Sequence, residues 1–314
     1  MGEISVVLPD EQQARLEALA VTSGRPISEL VRAALEAYSP MSPRLCWKAV
    51  HTHCSQVDGW TLPTEAADPP TLAEVGSDRI VAEHQAVTRI GPDGGRLWSH
   101  ACQGNPASAC ISGDRLLVTT FSRDYHAWGN LGPALLLDLR NGALVAMLRG
   151  ERAAPLDGGS FILGLEGYGT FETWLHDRTG VLRQTWHSFG HYFPEPDGSI
   201  RVVECDRLGG ESRVVRLLED GSIQRGPQLR DDQVPPPLLL DDGTLLILDE
   251  GALRAVDRQL VDYVVSRVPG LEAATSQLKL DGNRLSVTIV DRGANAPLTY
   301  VTHEWTLVLT PPSG

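Results

Sequence analysis

The sequence is poor in several features that mark common classes of protein. Its five cysteines are an odd number spread along 314 residues, which favours a reducing compartment over a disulfide framework. No apolar run is long enough to cross a membrane, and no leader peptide is visible. We therefore expect a cytoplasmic protein that makes no contact with a membrane.

Motifs for catalysis and metal binding are also scarce. The chain has no Gly-Lys-Ser/Thr phosphate loop and no Gly-x-Ser-x-Gly elbow, and no acid pair stands out as general acid and base. The stretch His51-Thr52-His53-Cys54 holds three potential ligands, but a zinc site also needs a convergent fourth ligand and a second shell. We expect no enzyme activity, no metal and no cofactor.

The charge is strongly acidic, with a formal net charge of −13. Any affinity for nucleic acid must therefore come from a local patch rather than from the field of the whole molecule. Residues 1–40 do not supply an overall basic patch, since Asp10 and five glutamates outnumber three arginines there.

Residues 1–39 carry the sharpest local pattern. Ile4, Val6 and Leu8 alternate as in a strand, and Asp10 can then cap a helix. Apolar residues at helical spacing follow in two groups separated by Gly24, which ends the first helix. These groups are Leu16, Leu19 and Ala20, then Ile27, Leu30, Val31, Ala34 and Leu35. So few residues form too small a core alone, so we expect two copies to pair through residues 1–39.

This strand-helix-Gly-helix order resembles the ribbon-helix-helix family of bacterial DNA-binding dimers, in particular its antitoxin branch. The resemblance implies that outward residues of the paired strands read bases and that the start of the second helix grips a phosphate. The residues matching those roles are Glu3, Ser5, Val7, Arg25 and Ser28. Glu3 departs from the pattern because phosphates repel a carboxylate, and the alternative is a unit that only dimerises.

A proline-stiffened linker, residues 40–43, separates this unit from a domain over residues 44–314 with a regular repeat. Turn glycines precede hydrophobic strand-like runs at separations of 37, 45, 40, 45 and 39 residues. These glycines are Gly76, Gly113, Gly158, Gly198, Gly243 and Gly282. A second turn follows within most units, as at Asp177-Arg178-Thr179-Gly180. Four strands in about forty residues is the period of a β-propeller blade.

The units resemble WD-repeat and quinoprotein-like propeller blades, most clearly from Ala134 to Ala146. The sequence thus predicts a mainly β protein, a six-bladed β-propeller preceded by the small strand-helix-helix domain. Seven blades are the alternative, and a pair of packed β-sandwiches is the structural rival. The last unit looks short of an outer strand, which the segment 44–50 could supply, leaving no open sheet edge.

One face of such a propeller collects the loops between second and third strands and the crossings between blades. Three such segments, 122–132, 166–169 and 186–193, are rich in aromatic and histidine residues although aromatics are only 6% of the chain. The predicted partner-binding residues are Asp124, Tyr125, His126, Trp128, Tyr168, His187, Phe189 and His191. Trp186 and Phe193 are instead expected to be strand residues of the core.

Two functions are compatible with these patterns. The first is a dimeric DNA-binding transcriptional regulator, antitoxin-like or repressor-like, whose propeller binds a partner protein or a ligand. Its partners would be a second copy of the chain, operator DNA, and an unknown protein or ligand on the propeller face. The second is a protein-interaction scaffold that does not bind DNA and that uses residues 1–39 only to dimerise, so that two propellers recruit partners together.

Overall fold

The computed structural model describes residues 46–58, 69–126, 129–167, 169–205, 212–231, 234–268, 276–291 and 299–310. The ribbon-helix-helix prediction, with Glu3, Ser5, Val7, Arg25 and Ser28, lies outside these residues. The chain divides into a large compact unit, residues 48–308, and a second unit of residues 1–47 and 309–314, of which four residues are described. Within the described ranges no helix is long and apolar enough to cross a membrane.

Twenty-five strands form six antiparallel sheets in the described residues, and five of these sheets come from consecutive strands. Sheet 1 contains β2 (Thr71–Val75), β3 (Asp78–Glu83), β4 (Ala86–Ile90) and β5 (Arg96–Ala101). Sheet 2 contains β6 (Asn105–Ser112), β7 (Arg115–His126), β8 (Gly129–Leu131), β9 (Pro133–Asp138) and β10 (Leu144–Arg149). Sheet 3 contains β11 (Arg152–Pro155), β12 (Phe161–Gly167), β13 (Thr170–His176) and β14 (Leu182–Trp186), with a 3-10 turn at Asp157–Gly159.

The remaining three sheets repeat the same order. Sheet 4 contains β15 (Gly190–Pro194), β16 (Ile200–Glu204), β17 (Arg213–Leu217) and β18 (Ile223–Gln228). Sheet 5 contains β19 (Leu238–Leu239), β20 (Leu245–Asp249), β21 (Ala252–Val256) and β22 (Asp262–Arg267). Sheet 6 contains β23 (Ser276–Asp281), β24 (Arg284–Asp291) and β25 (Thr299–Thr310), and its fourth strand is β1 (Cys46–Asp58).

The outer strand of sheet 6 therefore comes from the beginning of the domain, as the sequence predicted. The strand begins at Cys46 and runs on to Asp58, well beyond the predicted end at Val50. It pairs with β25, and the Thr52 hydroxyl donates to the Glu304 carbonyl at 3.1 Å. One sheet thus joins two segments that are far apart in sequence.

The six repeating glycines all lie between the first and second strands of a sheet. Each has a positive φ, from 54° at Gly113 to 84° at Gly198 and Gly243, which a side chain would disfavour. In the turns between third and fourth strands, an aspartate carboxylate accepts the backbone N–H two residues later in five sheets. These aspartates are Asp93, Asp138, Asp177, Asp220 and Asp257. The predicted repeat therefore has its origin in hairpin chemistry.

Successive sheets pack face to face, which decides the architecture. Apolar side chains of sheets 1 and 2 form one cluster, and further clusters join sheets 2 and 3, 3 and 4, and 4 and 5. First strands contact one another in succession, β2 with β6, β6 with β11 and β11 with β15. Sheets 2, 3 and 4 are covered on both faces, so a pair of β-sandwiches does not fit. The described residues form a β-propeller of six sheets.

Burial on both faces also explains the composition of the second strands. The first five residues of β12 and all of β20 are buried, and they are apolar apart from Gly164 and Asp249; β16 is buried throughout although it carries Arg201 and Glu204. A strand between two neighbouring sheets reads as a continuous apolar run, whereas a strand with one wet face alternates.

Candidate functional site

The sheets have two different ends. At one end, which we call the turn end, the first strand joins the second and the third joins the fourth. At the other end, which we call the loop end, the second strand joins the third and each sheet joins the next, through connections that range from two residues in sheets 1, 3 and 5 to longer ones in sheets 4 and 6. Those predicted partner-binding residues that the structure describes lie at the loop end of sheets 2, 3 and 4.

Part of the predicted loop 122–132 is a hairpin. Strand β7 continues to His126, and β8 pairs back on it through Phe121 with Leu131 and His126 with Gly129. Asp124, Tyr125 and His126 are thus in a strand, although their side chains are outside the described residues. Trp128 and Tyr168 are also outside them.

Three of the predicted residues are described, and they lie close together. His187 is exposed, Phe189 is completely buried and His191 is partly buried in β15. Phe189 thus has no surface to offer a partner and instead supports its neighbours. Trp186 ends β14 with 4% exposure and Phe193 lies in β15, which confirms that both are strand residues.

Sequence reasoning missed the cation at the centre of this group. The Arg152 guanidinium carbon lies 5.3 Å from the centroid of the Phe189 ring, a cation–π distance. Phe171 meets Phe189 and His187 edge to face, with centroids 6.1 and 5.8 Å apart. We call Arg152, Phe171, His187, Phe189 and His191 the aromatic cluster. It joins sheets 3 and 4, which pattern analysis of one segment at a time could not reveal.

Buried hydrogen bonds hold the crossing of residues 187–189 in place. The Thr173 hydroxyl donates to the Ser188 carbonyl at 2.5 Å, and the Ser188 hydroxyl donates to the Glu204 carboxylate at 3.1 Å. The Tyr192 hydroxyl lies 3.0 Å from that of Thr173. Because these groups are buried and bonded, the crossing is fixed with His187 outward and Phe189 inward.

His191 adds no charge to the aromatic cluster near pH 7. Burial, with the nearby Arg152 charge, lowers the pKa of His191 to about 4. The imidazole is therefore neutral near pH 7. Its Nε2 can donate to the Val234 carbonyl at 3.3 Å, which leaves Nδ1, 3.0 Å from Arg152 Nη1, to accept. The Arg152 charge thus stands beside aromatic rings and a neutral His191.

A cavity of about 450 Å³ lies at the same end, between sheets 2 and 3. Its apolar lining includes Phe121, Leu131 and Leu165, and Glu151 and Glu166 add carboxylates. Phe121 is 44% exposed, which is unusual for so large an apolar side chain. The loop end of sheets 2 to 4 therefore combines an open apolar hollow, acids and a cation.

A second, larger cavity lies at the turn end between sheets 3 and 4, where the sequence predicted no site. The stretch His51–Cys54 lies in β1, where His51 Nε2 is 3.4 Å from His303 Nδ1. In the described part of the chain no three His, Cys, Asp or Glu side chains converge as metal ligands would.

No protein-family model matches the sequence, and no curated protein matches it significantly. Among solved structures, the chain is similar to BamB from Moraxella catarrhalis, with 16% identity over 74% of this chain and 82% of that one and a TM-score of 0.42. It is also similar to the complex of KlAtg21 with the coiled coil of AgAtg16, with 10% identity over 73% of this chain and 82% of that one and a TM-score of 0.47. The Dos1 propeller is similar with 11% identity over 73% of this chain and 74% of that one and a TM-score of 0.40. TM-scores this low carry no argument about function, so the fold assignment rests on the order and packing of the sheets.

Proposed function

We propose that the protein is a non-catalytic protein-interaction scaffold whose propeller binds a partner protein with the loop end of sheets 2 to 4. Two copies, paired through residues 1–39, would engage a partner with raised avidity. DNA binding through the same residues stays a prediction, because no described residue bears on it.

The observation that carries the proposal is that the loop end of sheets 2 to 4 holds the exposed Phe121, the cavity beside it and the aromatic cluster. Aromatic and arginine side chains near an apolar hollow are typical of the centre of a protein interface. The crossing is also held by buried hydrogen bonds, so little ordering entropy would oppose binding.

The test is affinity capture with the full-length protein as bait, in extracts of the organism that encodes it. We expect a reproducible partner that binds the wild type and is lost with the double variant Phe121→Ser, His187→Ala. Direct binding is then measured by titrating the purified partner against both proteins. A loss of at least about tenfold in affinity is expected, because truncation of central residues commonly costs more than 1 kcal/mol each.

The matched control is Val264→Ser in β22, which removes an apolar side chain that is 55% exposed on a sheet away from this surface. The control should bind like the wild type. If both variants bind the purified partner equally well, the loop end of sheets 2 to 4 is not the binding surface.

A further inference from the structure

The turn-end cavity between sheets 3 and 4, which residues 111–113 of sheet 2 also line, has a volume of about 1070 Å³. Its apolar lining includes Leu156, Leu175, Trp186 and Ile200, all of them in the sheet 3–4 cluster. The apolar junction between these two sheets is therefore open at this end.

Other junctions are closed at this end by an arginine. Arg89 Nη1 of sheet 1 donates to the Leu139 carbonyl of sheet 2 at 2.8 Å, and Arg115 Nε of sheet 2 donates to the Arg178 carbonyl of sheet 3 at 2.9 Å. Arg216 of sheet 4 donates to the Arg258 carbonyl of sheet 5. Each guanidinium reaches the turn between the third and fourth strands of the next sheet.

The accepting carbonyl occupies the same place each time, the second residue of that turn. In sheet 4 the corresponding residue is Glu219, since the turn begins at Leu218 and closes by a hydrogen bond from Gly221 N–H to the Leu218 carbonyl, at 3.0 Å. At the junction between sheets 3 and 4, Trp186 Nε1 donates to the Leu218 carbonyl at 3.1 Å. The indole thus reaches the first residue of the turn and not the second.

Sheet 3 has no arginine in the two positions that supply the closing guanidinium elsewhere. Leu175 stands where sheets 1 and 4 have Arg89 and Arg216, two residues before the turn. In sheet 2, Arg115 comes just before the second-strand residue that pairs with the last third-strand residue ahead of the turn. In sheet 3 the residue at the same position is Ser160. Leu175 and Ser160 both line the cavity. The cavity therefore occupies the place that a guanidinium fills at the other three junctions.

The charges around the cavity favour a cation. Asp157 and Glu219 are exposed carboxylates on its rim. The lining arginine, Arg183, is bonded to Asp177 of its own sheet, and Glu195 is paired with Arg201. The apolar lining suits the aliphatic stem of a long basic side chain, which packs along apolar surface while its head stays polar.

We propose that this cavity binds an arginine side chain of a partner polypeptide, which supplies from outside the guanidinium that the sheet 1–2, 2–3 and 4–5 junctions supply from within. The fork of N–H donors would reach the Glu219 carbonyl and carboxylate. This site is at the opposite end of the sheets from the aromatic cluster, so it does not depend on the proposed function.

The probe is a displayed library of random twelve-residue peptides, selected on the full-length wild type after depletion on the variant Leu175→Arg. That variant places an arginine where sheets 1 and 4 have one, so it fills the cavity from within. We expect the enriched peptides to share an arginine. For a synthetic peptide from the enriched set, replacing that arginine by citrulline, which keeps its shape without the charge, should weaken binding about tenfold.

Controls separate blocking from unfolding. Leu182→Arg adds the same charge to the same sheet at a residue 51% exposed and outside the cavity lining, and it should bind the peptide like the wild type. Ser160→Arg, a second way to fill the cavity, should abolish binding, and Glu219→Gln should weaken it several-fold. Thermal unfolding of each variant shows whether it is folded.

Three results would overturn the proposal. One is that no peptide is enriched, and another is that the enriched peptides lack arginine. The third is that the selected peptide binds folded Leu175→Arg and Ser160→Arg as tightly as the wild type. If lysine replaces the arginine without loss, the cavity selects positive charge alone, and the guanidinium assignment is wrong.

Discussion

The junction between sheets 4 and 5 differs from the junction between sheets 3 and 4, although the strands are ordered alike. At the turn end of the sheet 4–5 junction, Arg201 is completely buried and is bonded to the Glu195 carboxylate and to the Gly243 and Asp257 carbonyls. At the turn end of the sheet 3–4 junction, Leu175 and Trp186 face an open cavity. The same topology therefore permits either a sealed polar junction or a binding site, depending on a few side chains.

The sheet 3–4 junction is sealed at its other end. There Arg152 of sheet 3 reaches His191 of sheet 4 and covers the Phe189 ring. The closing guanidinium of this junction thus lies at the loop end, whereas the sheet 4–5 junction is closed by Arg201 at the turn end and also has polar contacts at the loop end, where Arg254 donates to the Gln228 carbonyl. Three substitutions test this contrast.

The largest effect is expected for Arg201→Met at the sealed junction. Methionine fills much of the space but leaves the buried Glu195 carboxylate without its closest partner and removes the guanidinium from the Gly243 and Asp257 carbonyls. Removing one member of a buried ion pair typically costs several kcal/mol, so we expect the free energy of unfolding to fall by about 3 kcal/mol. Urea denaturation measures it.

The control for this substitution is Arg230→Met, which breaks an ion pair with Glu250 whose side chains are 76% and 57% exposed. It should change the free energy of unfolding by less than about 0.5 kcal/mol. Equal effects of the two substitutions would mean that the buried pair does not stabilise the sheet 4–5 junction.

A smaller effect is expected from acid at the loop end of the sheet 3–4 junction. Because the pKa of His191 is lowered to about 4 in the folded protein, the unfolded chain binds the proton first as pH falls below the usual histidine value. The stabilisation from neutral His191 is therefore complete at neutral pH and is lost as pH falls toward 4. Between about pH 7 and pH 5, we expect the free energy of unfolding of the wild type to fall by about 1.5 kcal/mol more than that of His191→Gln; this figure allows for the partial exposure of His191.

The measurement is urea denaturation of both proteins across this pH range. Burial also lowers the pKa values of His176 and His303, so both proteins should lose stability in acid, and the difference between them isolates His191. Parallel pH profiles would show that His191 is not held neutral by this junction.

The smallest effect is expected for Trp186→Phe at the open end of the junction. The ring is largely kept, but the hydrogen bond from Trp186 Nε1 to the Leu218 carbonyl is lost. A single hydrogen bond contributes about 1 kcal/mol, so the free energy of unfolding should fall by about that amount. A loss as large as that of Arg201→Met would contradict the view that this end is only weakly closed.

Much of the fold follows from local sequence. The glycines at positive φ, the aspartates that cap the turns and the buried runs such as Leu245–Leu248 are visible in short windows, so the repeat and the six sheets could be predicted. The end strand was predicted from a missing partner in the last unit. Its extent to Asp58 was not, because pairing with β25 decides where β1 ends.

The sites were less accessible. The predicted partner-binding surface stays a prediction; of its residues, His187 lies in the crossing between sheets 3 and 4 and His191 in the strand that follows, β15. It missed Arg152 and Phe171, which belong to other strands and meet this crossing only through sheet packing. It also missed the turn-end cavity, which becomes visible only when the closing residues of successive junctions are compared.

By itself the sequence determined the period, the turns and the order of the strands, because hairpin geometry depends on residues close together in the chain. Only the tertiary structure decided where positive charge lies between sheets. One junction is sealed by Arg216 and another is left open beside Leu175. This difference depends on which residues of two neighbouring sheets face each other, and the packing of the sheets fixes that over distances that no local pattern encodes.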